Sequence, residues 1–288
     1  QLDAIGLDKA AAILDVLYEA SGDCRHRVSA AITDRVAAGN LGESSGAGFY
    51  TFSGAGSSEV VEEASADGDA AGATREIKLV GVIGTGTMAT GIIEVFAKSG
   101  YDVVYVARSD EKVAKVRAAL EKSLDRAVSK GKLSEDDKAT ILARVCGTTA
   151  HEDLGRVDIV VEAIVEDLET KKELFRTLDR VCKPGAILAT TTSSLSIDVL
   201  AAETARPADV IGMHFFNPAP VMKLVEVVSG SATAQDVTDT TVVLCKAVKK
   251  HPVLCGDRAG FIVNFLLFPY LNDAVIAVDE QLTTVDVT

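Results

Sequence analysis

An apolar run ends abruptly in a G-x-G-x-x-A turn in the stretch Lys78-Leu79-Val80-Gly81-Val82-Ile83-Gly84-Thr85-Gly86-Thr87-Met88-Ala89. In a strand-turn-helix unit of this kind, Gly84 permits the tight turn, Gly86 lets the backbone approach a pyrophosphate, and Ala89 lets the helix pack close to the sheet. The stretch therefore predicts a dinucleotide-binding fold. The alternative is an ordinary glycine turn in an α/β sheet.

The segments that follow this turn support a nucleotide site. Residues 91–97 continue as an amphipathic helix, and residues 102–106 supply a second strand. Backbone N–H groups at a helix N-terminus favour a negatively charged group such as a phosphate. We therefore assign four residues of the turn to the cofactor: Gly84, Gly86, Thr87 and Met88.

The end of the second strand indicates which nucleotide fits. In this type of fold an acidic side chain there normally accepts hydrogen bonds from the ribose hydroxyls of NAD. Here Val106 is followed by Ala107 and Arg108, so a methyl group and a guanidinium replace the carboxylate. Because arginine suits bidentate binding of a phosphate, the sequence favours NADP(H) over NAD(H), with Ala107 and Arg108 at the cofactor. The alternative is a solvated Arg108 and a site that accepts either nucleotide.

Composition limits the possible partners and locations. The 288 residues carry a net charge of −13, which argues against nucleic acid or an anionic membrane as a partner. No apolar run reaches the roughly 18 residues of a membrane span, and no basic leader precedes the first helix. The five cysteines include no C-x-x-C pair and the four histidines are dispersed, which predicts reduced thiols and no metal site. We expect a cytoplasmic protein with a small-molecule substrate.

A stretch of small, acidic and turn-prone residues divides the chain. Residues 53–75 have the composition of a flexible linker. Before it, residues 1–52 form a helical segment, with helical periodicity over 7–20 and 24–38. After it, strand-like and helical runs alternate over 76–258, with strands predicted over 78–83, 102–106, 158–163, 186–190 and 210–213.

This alternation predicts the fold class. Strands that alternate with helices indicate an α/β protein with a doubly wound, parallel (Rossmann) sheet. Residues 259–288 become helical again, and Pro269 is expected in the first turn of a helix or at a kink. We therefore expect a small all-α domain, contributed by both chain ends, beside the sheet domain.

Polar side chains follow several of the predicted strands. The run from Thr190 to Leu195 comes after a buried strand, where hydroxyl groups reach the ligand crevice of a parallel sheet. His214 ends the next strand, and Glu226 lies on an apolar strand after it. A buried carboxylate is costly without a partner, so we predict that Glu226 pairs with His214. Such a pair holds the imidazole in one tautomer and favours its protonated form, as an acid/base catalyst requires.

At this point the chain resembles the 3-hydroxyacyl-CoA dehydrogenase family, in particular its short-chain bacterial branch, the 3-hydroxybutyryl-CoA dehydrogenases. The most specific match is H-F-F-N-P-x-P-V-M-K-L-V-E-V at residues 214–227. The others are G-T-G-T-M-A at 84–89, V-E-A-I-V-E-D-L at 161–168, T-S-S-L at 192–195 and D-R-x-G-F-I-V-N at 257–264. The resemblance covers residues 76 to about 279.

The resemblance implies an activity and a set of site residues. The activity is hydride transfer between a 3-hydroxyacyl-CoA, such as 3-hydroxybutyryl-CoA, and its 3-keto form, with a nicotinamide cofactor. The resemblance implies that His214 is catalytic and is oriented by Glu226, and that Ser193 and Asn264 hydrogen-bond the reacting oxygen. It also implies that Ala163, Glu166 and Lys171 contact the cofactor. Ser123 and Lys130 would contact the CoA part of the substrate. The alternatives are that Ser193 is only a turn residue, that Asn264 only caps a helix, and that Lys130 is only solvated.

Two other functions compete with this interpretation. A non-catalytic NAD(P)-binding sensor or structural protein keeps the glycine turn but has no need of His214, Glu226, Ser193 and Asn264 together. A dehydrogenase of a free 3-hydroxy acid usually relies on a lysine from its helical domain and lacks the H-F-F-N-P run.

The chain departs from the family pattern in three ways. The family usually has asparagine at the position of Thr191 and an acidic residue at that of Ala107. Its helical domain should follow the nucleotide domain, whereas residues 1–52 here resemble the later part of that domain. The sequence is then either a window cut from a longer tandem arrangement or a permuted enzyme. In both cases we expect residues 1–52 to pack against residues 261–279, within one chain or between two, and we expect a homodimer through these apolar helical segments.

Overall fold

The computed structural model describes residues 1–61 and 72–282. The chain divides into two compact units, Gln1–Asp69 and Ala70–Thr288. The first unit contains helices α1 to α3, at Leu2–Ile5, Leu7–Ser21 and Ala30–Ala37, and a 3-10 turn at Cys24–His26. Within the described residues, the predicted linker over 53–75 is seen only at its two ends. Its boundaries stay a prediction.

One of the two helices predicted in the first unit is correct. The helix predicted over 7–20 matches α2. The continuous helix predicted over 24–38 is wrong, because the Asp23 carboxylate accepts the Arg25 N–H and closes a short 3-10 turn. Extended backbone at Arg27 and Ser29 then separates this turn from α3. A local side-chain cap therefore replaces a turn of the predicted helix.

A buried carboxylate near the N-terminus of the first unit binds the backbone of residues 49–50. Asp3 accepts the backbone N–H groups of Phe49 and Tyr50 at 2.9 and 2.8 Å. Leu7 and Ile32 are buried, as the helical periodicity requires. In contrast, three apolar residues of α2 are exposed, namely Ile13, Val16 and Leu17.

An eight-stranded sheet forms the centre of the second unit. Its strands in spatial order are β3-β2-β1-β4-β5-β6-β7-β8. The predicted parallel, doubly wound sheet is confirmed over the first six of these strands. The pair β6–β7 is antiparallel and the pair β7–β8 is parallel. Strands β1 to β8 span Leu79–Ile83, Asp102–Val106, Val145–Thr148, Ile159–Glu162, Ile187–Thr190, Val210–Phe215, Leu224–Ser229 and His251–Gly256.

Helices cover the sheet on both faces. Helices α4 to α10 span Thr87–Lys98, Asp110–Ser129, Glu135–Ala143, Leu168–Val181, Ile197–Ala201, Gln235–Ala247 and Val263–Asp279. Short 3-10 turns lie at His151–Arg156 and Pro207–Asp209. Because both faces are covered, the central strands are mostly apolar and buried, as in Val80 and Val82 of β1 and Val160 and Val161 of β4. No helix within residues 1–61 and 72–282 is both long and apolar enough to cross a membrane.

Helix α10 differs from the other long helices because none of its residues is buried. Pro269 lies inside this helix, beyond its first turn, so the first of its two predicted placements is excluded and a kink stays a prediction. The helix begins at Val263 because Glu226 accepts the backbone N–H groups of Ile262 and Val263 there. A tertiary contact therefore sets the start of the helix.

Asp158 anchors the first strand of the sheet, and its replacement by asparagine is expected to destabilise the protein. Its carboxylate accepts the N–H groups of Lys78 and Leu79 at 2.7 and 2.8 Å and the Lys183 ammonium at 2.5 Å. Burial acts to raise the pKa of Asp158, but these hydrogen bonds outweigh it and lower the pKa. For Asp158→Asn we expect a loss of about 1.5–3 kcal/mol in the free energy of unfolding at pH 7.

The pH dependence of this loss follows from the direction of the shift. A depressed carboxyl pKa stabilises the fold above the unfolded-state pKa, and that stabilisation disappears as pH falls through the folded-state pKa. The wild type should therefore lose its advantage over Asp158→Asn below about pH 4, as urea unfolding at pH 7 and pH 3 can measure. Asp102→Asn, at an exposed carboxylate on β2, is the matched control. An equal advantage at both pH values contradicts the assignment.

Candidate active site

A cavity of about 810 Å³ lies at the carboxyl ends of β1, β2 and β4. The turn after β1 contributes Gly84, Gly86, Thr87 and Met88 to its lining. At Gly84, φ is +131°, and an added Cβ would lie 2.3 Å from the Ala163 carbonyl oxygen, so a larger residue does not fit. No side chain caps the first turn of α4, which leaves its N–H groups for an anion. The cavity therefore fits a dinucleotide with its pyrophosphate at this helix.

The segment after β2 lines the same cavity. Ala107 is buried and donates its N–H to the Thr148 carbonyl at 2.9 Å. Arg108 is exposed, lines the cavity and forms no ion pair with any other residue of the described ranges. Ser109 caps α5 by accepting the Lys112 N–H at 3.3 Å. An unpaired guanidinium therefore stands where the cofactor's ribose is expected.

A buried histidine and a buried glutamate meet on the neighbouring part of the sheet. In the antiparallel pair of β6 and β7, His214 lies directly opposite Glu226. Their side chains are 6% and 1% exposed, and His214 Nδ1 lies 2.6 Å from Glu226 Oε2. Because Nδ1 is engaged by the carboxylate, Nε2 is the ring nitrogen left for proton transfer.

Glu226 also connects this pair to α10. Its other oxygen, Oε1, accepts the N–H groups of Ile262 and Val263 at 3.0 and 2.9 Å. The His214 ring also contacts two phenylalanines, with centroid distances of 4.7 Å to Phe216 and 5.5 Å to Phe261. These ring contacts and the bond to Glu226 restrict the orientation of the imidazole.

Ser193 and Asn264 share a second cavity, of about 540 Å³. Ser194, Ala259 and Gly260 complete one part of its lining, and Phe265, Phe268 and Pro269 of α10 complete the other. Ser193 and Asn264 are separated by 71 positions in sequence, and they line one cavity because the end of β5 and the start of α10 lie at the same edge of the sheet. Asn264 follows Val263, whose N–H is bonded to Glu226. One carboxylate thus positions both His214 and the start of the helix that carries Asn264.

A network of charged side chains links the two cavities. Lys171 is 1% exposed, and its Nζ lies 2.6 Å from Glu162 Oε1 and 3.5 Å from Glu166 Oε2. Glu166 in turn accepts the Thr192 hydroxyl at 2.5 Å and the Ser193 N–H at 2.8 Å. Lys171 and Glu166 are therefore outside the lining of the cofactor cavity, whereas Ala163 belongs to it.

Comparisons with known proteins agree with this geometry. The NAD-binding domain of 3-hydroxyacyl-CoA dehydrogenase, as a sequence family, matches residues 79–258. The chain belongs to the 3-hydroxyacyl-CoA dehydrogenase family. The resemblance drawn from the motifs is thereby confirmed, and so is the general activity of an oxidoreductase of 3-hydroxyacyl-CoA with a nicotinamide cofactor.

Individual relatives support the same assignment. The chain is 49% identical over 194 residues to a 3-hydroxybutyryl-CoA dehydrogenase of Clostridioides difficile, covering 67% of this chain and 69% of the relative. It is 43% identical over 226 residues to the mitochondrial hydroxyacyl-coenzyme A dehydrogenase of Sus scrofa, covering 75% of this chain and 72% of the relative. The crystal structure of (S)-3-hydroxybutyryl-CoA dehydrogenase from Ralstonia eutropha matches with a TM-score of 0.72 at 41% identity, over 73% of this chain and 75% of that chain.

Two residues that the family resemblance implies at the substrate lie outside both cavities. Ser123 is half-buried in α5, and Lys130 is exposed at its C-terminus. Their contact with the CoA part of the substrate stays a prediction. Thr191, where the family usually has asparagine, donates its backbone N–H to the Glu162 carbonyl at 2.9 Å.

Several lining residues were not predicted from the sequence. Thr149 and His151 line the cofactor cavity directly after β3, together with Val165 and Thr170. Strand β3 was missed because it has only four residues and includes Gly147. The polar pair Thr148-Thr149, which follows Val145-Cys146-Gly147, could have located this strand end. Residues that follow a parallel strand lie at the edge of the sheet where ligands bind.

Proposed function

We propose that this chain interconverts 3-hydroxybutyryl-CoA and acetoacetyl-CoA, with His214 as the acid/base group. The observation that carries the proposal is the 2.6 Å contact between His214 Nδ1 and Glu226 Oε2 at the ligand edge of a dinucleotide-binding sheet. An enzyme that moves hydride at a carbon must also move a proton at the attached oxygen. Imidazole suits that task because its pKa lies near working pH.

The residues of this chain divide the work as follows. A bound nicotinamide nucleotide supplies or accepts the hydride at C3 of the substrate. His214 accepts the proton from the C3 hydroxyl through Nε2 in oxidation and returns it in reduction. Glu226 holds the Nδ1–H and stabilises the imidazolium that forms.

Ser193 and Asn264 are proposed to hydrogen-bond the C3 oxygen. Their shared cavity supports this role, because both polar groups border one space. Donors aimed at a developing alkoxide stabilise it most when they are held in place beforehand. Glu166 holds the Ser193 backbone at 2.8 Å, and Glu226 holds the start of the Asn264 helix. The backbone that carries each donor is therefore held by a carboxylate.

The length of the acyl group is inferred from the second cavity and from the relatives. Phe265, Phe268 and Pro269 supply an apolar wall beside Ser193 and Asn264. The cavity of about 540 Å³ has room for an acyl chain beside these groups. The relatives of Clostridioides difficile and Ralstonia eutropha carry the name 3-hydroxybutyryl-CoA dehydrogenase. A four-carbon thioester is therefore the substrate that we propose.

Reduction of acetoacetyl-CoA, with NADH and NADPH assayed separately, tests this function. We expect turnover with the thioester and none with free acetoacetate. We also expect the turnover rate to decline as the acyl chain of the thioester lengthens from C4 to C16. Nucleotide binding without turnover of any substrate identifies a sensor or structural protein instead. Turnover of free acetoacetate identifies a dehydrogenase of free hydroxy acids.

We further propose that NADP(H) is preferred, because Arg108 lines the cofactor cavity and Ala107 replaces an acidic residue. For Arg108→Ala we expect the KM for NADPH to rise about tenfold, since a lost hydrogen bond to a charged group costs about 1.5–3 kcal/mol. The KM for NADH should change less than twofold. Ala107→Asp should shift the preference further toward NADH. Equal changes in both KM values for Arg108→Ala contradict the assignment. The control is Arg144→Ala, at a half-buried arginine that lies at the amino end of β3 and outside the lining of the cofactor cavity.

The homodimer and the cytoplasmic location remain predictions. Exposed apolar side chains on α10, such as Leu266, Tyr270 and Val275, support association through this helix. Light scattering at micromolar concentration measures the oligomeric state, and a monomer contradicts the prediction.

A further inference from the structure

Lys250 is a buried lysine whose partners are backbone carbonyls. It is 6% exposed and follows α9 at the start of β8. Its Nζ donates hydrogen bonds to the Ala219 carbonyl at 2.5 Å and to the Met222 carbonyl at 2.7 Å. Within the described parts of the chain it forms no ion pair with a carboxylate. Burying an ammonium without a carboxylate partner costs free energy of folding, so the burial of Lys250 needs an explanation.

Both carbonyls belong to the turn between β6 and β7, which we name the 216–223 turn after the residues that connect the two strands. This turn begins with Phe216, which contacts the His214 ring, and it leads into the strand that carries Glu226. Within the turn, Val221 and Met222 both donate their N–H groups to the Pro218 carbonyl, at 2.9 Å each. The turn thus connects the two members of the acid/base pair.

The 216–223 turn also packs against the cofactor helix. A Cβ added at Gly91 of α4 would lie 3.0 Å from Pro220 Cδ and 3.2 Å from Ala219 Cβ. Two features therefore hold the turn: the close approach of α4 and the hydrogen bonds from the Lys250 ammonium. Lys250 is itself held, because its backbone N–H bonds to the Cys245 carbonyl at 2.8 Å at the end of α9.

We propose that Lys250 is a positioning residue that holds the 216–223 turn against α4, and so sets the distance of His214 from the cofactor bound at the start of that helix. This inference rests on the proposed function, since it requires His214 to be the acid/base group. Burial lowers the pKa of Lys250, which agrees with an ammonium enclosed by protein. A displacement of about 1 Å at a reacting group costs up to roughly a hundredfold in rate, so a small shift of this turn has a measurable effect.

Lys250→Met is the first test, since methionine keeps the apolar stem and removes the donors. We expect kcat for acetoacetyl-CoA reduction to fall at least tenfold, with the KM for the nucleotide within twofold of wild type. Lys246→Met, an exposed lysine on α9, removes the same charge and should leave kcat unchanged. A purely structural role of Lys250 lowers the melting temperature but leaves kcat unchanged at temperatures where the variant is folded.

Gly91→Ala displaces the same turn by crowding Pro220 and Ala219, and it decides the case if Lys250→Met fails to fold. Alanine favours a helix over glycine, which offsets part of the cost of this crowding, so we expect the variant to fold. We expect it to lower kcat at least tenfold as well. An unchanged kcat in either folded variant overturns the role of Lys250. Absence of turnover in the wild type overturns the proposed function and this inference with it, so the two failures are distinguishable.

Discussion

His214→Ala is expected to lower kcat for acetoacetyl-CoA reduction by roughly 10²- to 10⁴-fold, the range that a single acid/base group contributes. The reason is the arrangement at β6 and β7, where the ring is buried, held at Nδ1 by Glu226 and enclosed by Phe216 and Phe261. Alanine removes the group that exchanges the proton and leaves the glycine turn intact. Binding of the nucleotide should therefore be retained.

Steady-state kinetics and nucleotide titration together measure this effect. His251→Ala removes an exposed imidazole from β8 and should leave kcat within twofold of wild type. Glu226→Gln should give a smaller loss than His214→Ala, because the amide keeps the imidazole in place but does not stabilise the imidazolium. If His214→Ala retains full turnover, the proposed mechanism is wrong.

Lys171→Met is expected to destabilise the protein by about 3–5 kcal/mol, the cost of leaving one partner of a buried ion pair uncompensated. Glu162 is fully buried and accepts Lys171 Nζ at 2.6 Å, the Thr190 hydroxyl at 2.6 Å and the Ile164 N–H at 2.8 Å. Without the ammonium, the buried carboxylate loses its charged partner.

Urea unfolding at pH 7 measures this loss, and a neighbouring lysine provides the control. Lys172 lies on the same helix and pairs with the exposed Glu169 at 3.1 Å, so Lys172→Met should cost at most about 1 kcal/mol. The double variant Lys171→Met with Glu162→Gln should recover part of the loss, since glutamine is neutral and keeps an acceptor for Ile164. A loss of less than about 1 kcal/mol for Lys171→Met shows that the pair is not a determinant of stability.

Elements with strong local patterns were predicted well. The predicted strand over 78–83 and helix over 91–97 correspond to Leu79–Ile83 and Thr87–Lys98. Their apolar spacing and the glycine turn between them are visible in a short window of sequence. Strand β8 at His251–Gly256 was missed, because its residues are mostly exposed and show no apolar alternation.

The contacts of Glu226 were predicted only in part. The sequence indicated the partners, because an isolated carboxylate in an apolar strand needs one. It did not reveal that Glu226 also binds the backbone of Ile262 and Val263, 36 and 37 positions further along the chain. That contact places Asn264 and starts α10.

Local sequence was sufficient for the nucleotide turn, the alternation of strands and helices, and the residue types of the acid/base pair, because each depends on neighbours within a few positions. The partners of the buried charges depended on the folded chain. Lys171 meets Glu162 and Glu166, and Lys250 meets the carbonyls of Ala219 and Met222, only after strand register and helix packing bring them together. A lysine in the sequence has the same appearance whether water or protein surrounds it, and burial is the property that separates a structural charge from a solvated one.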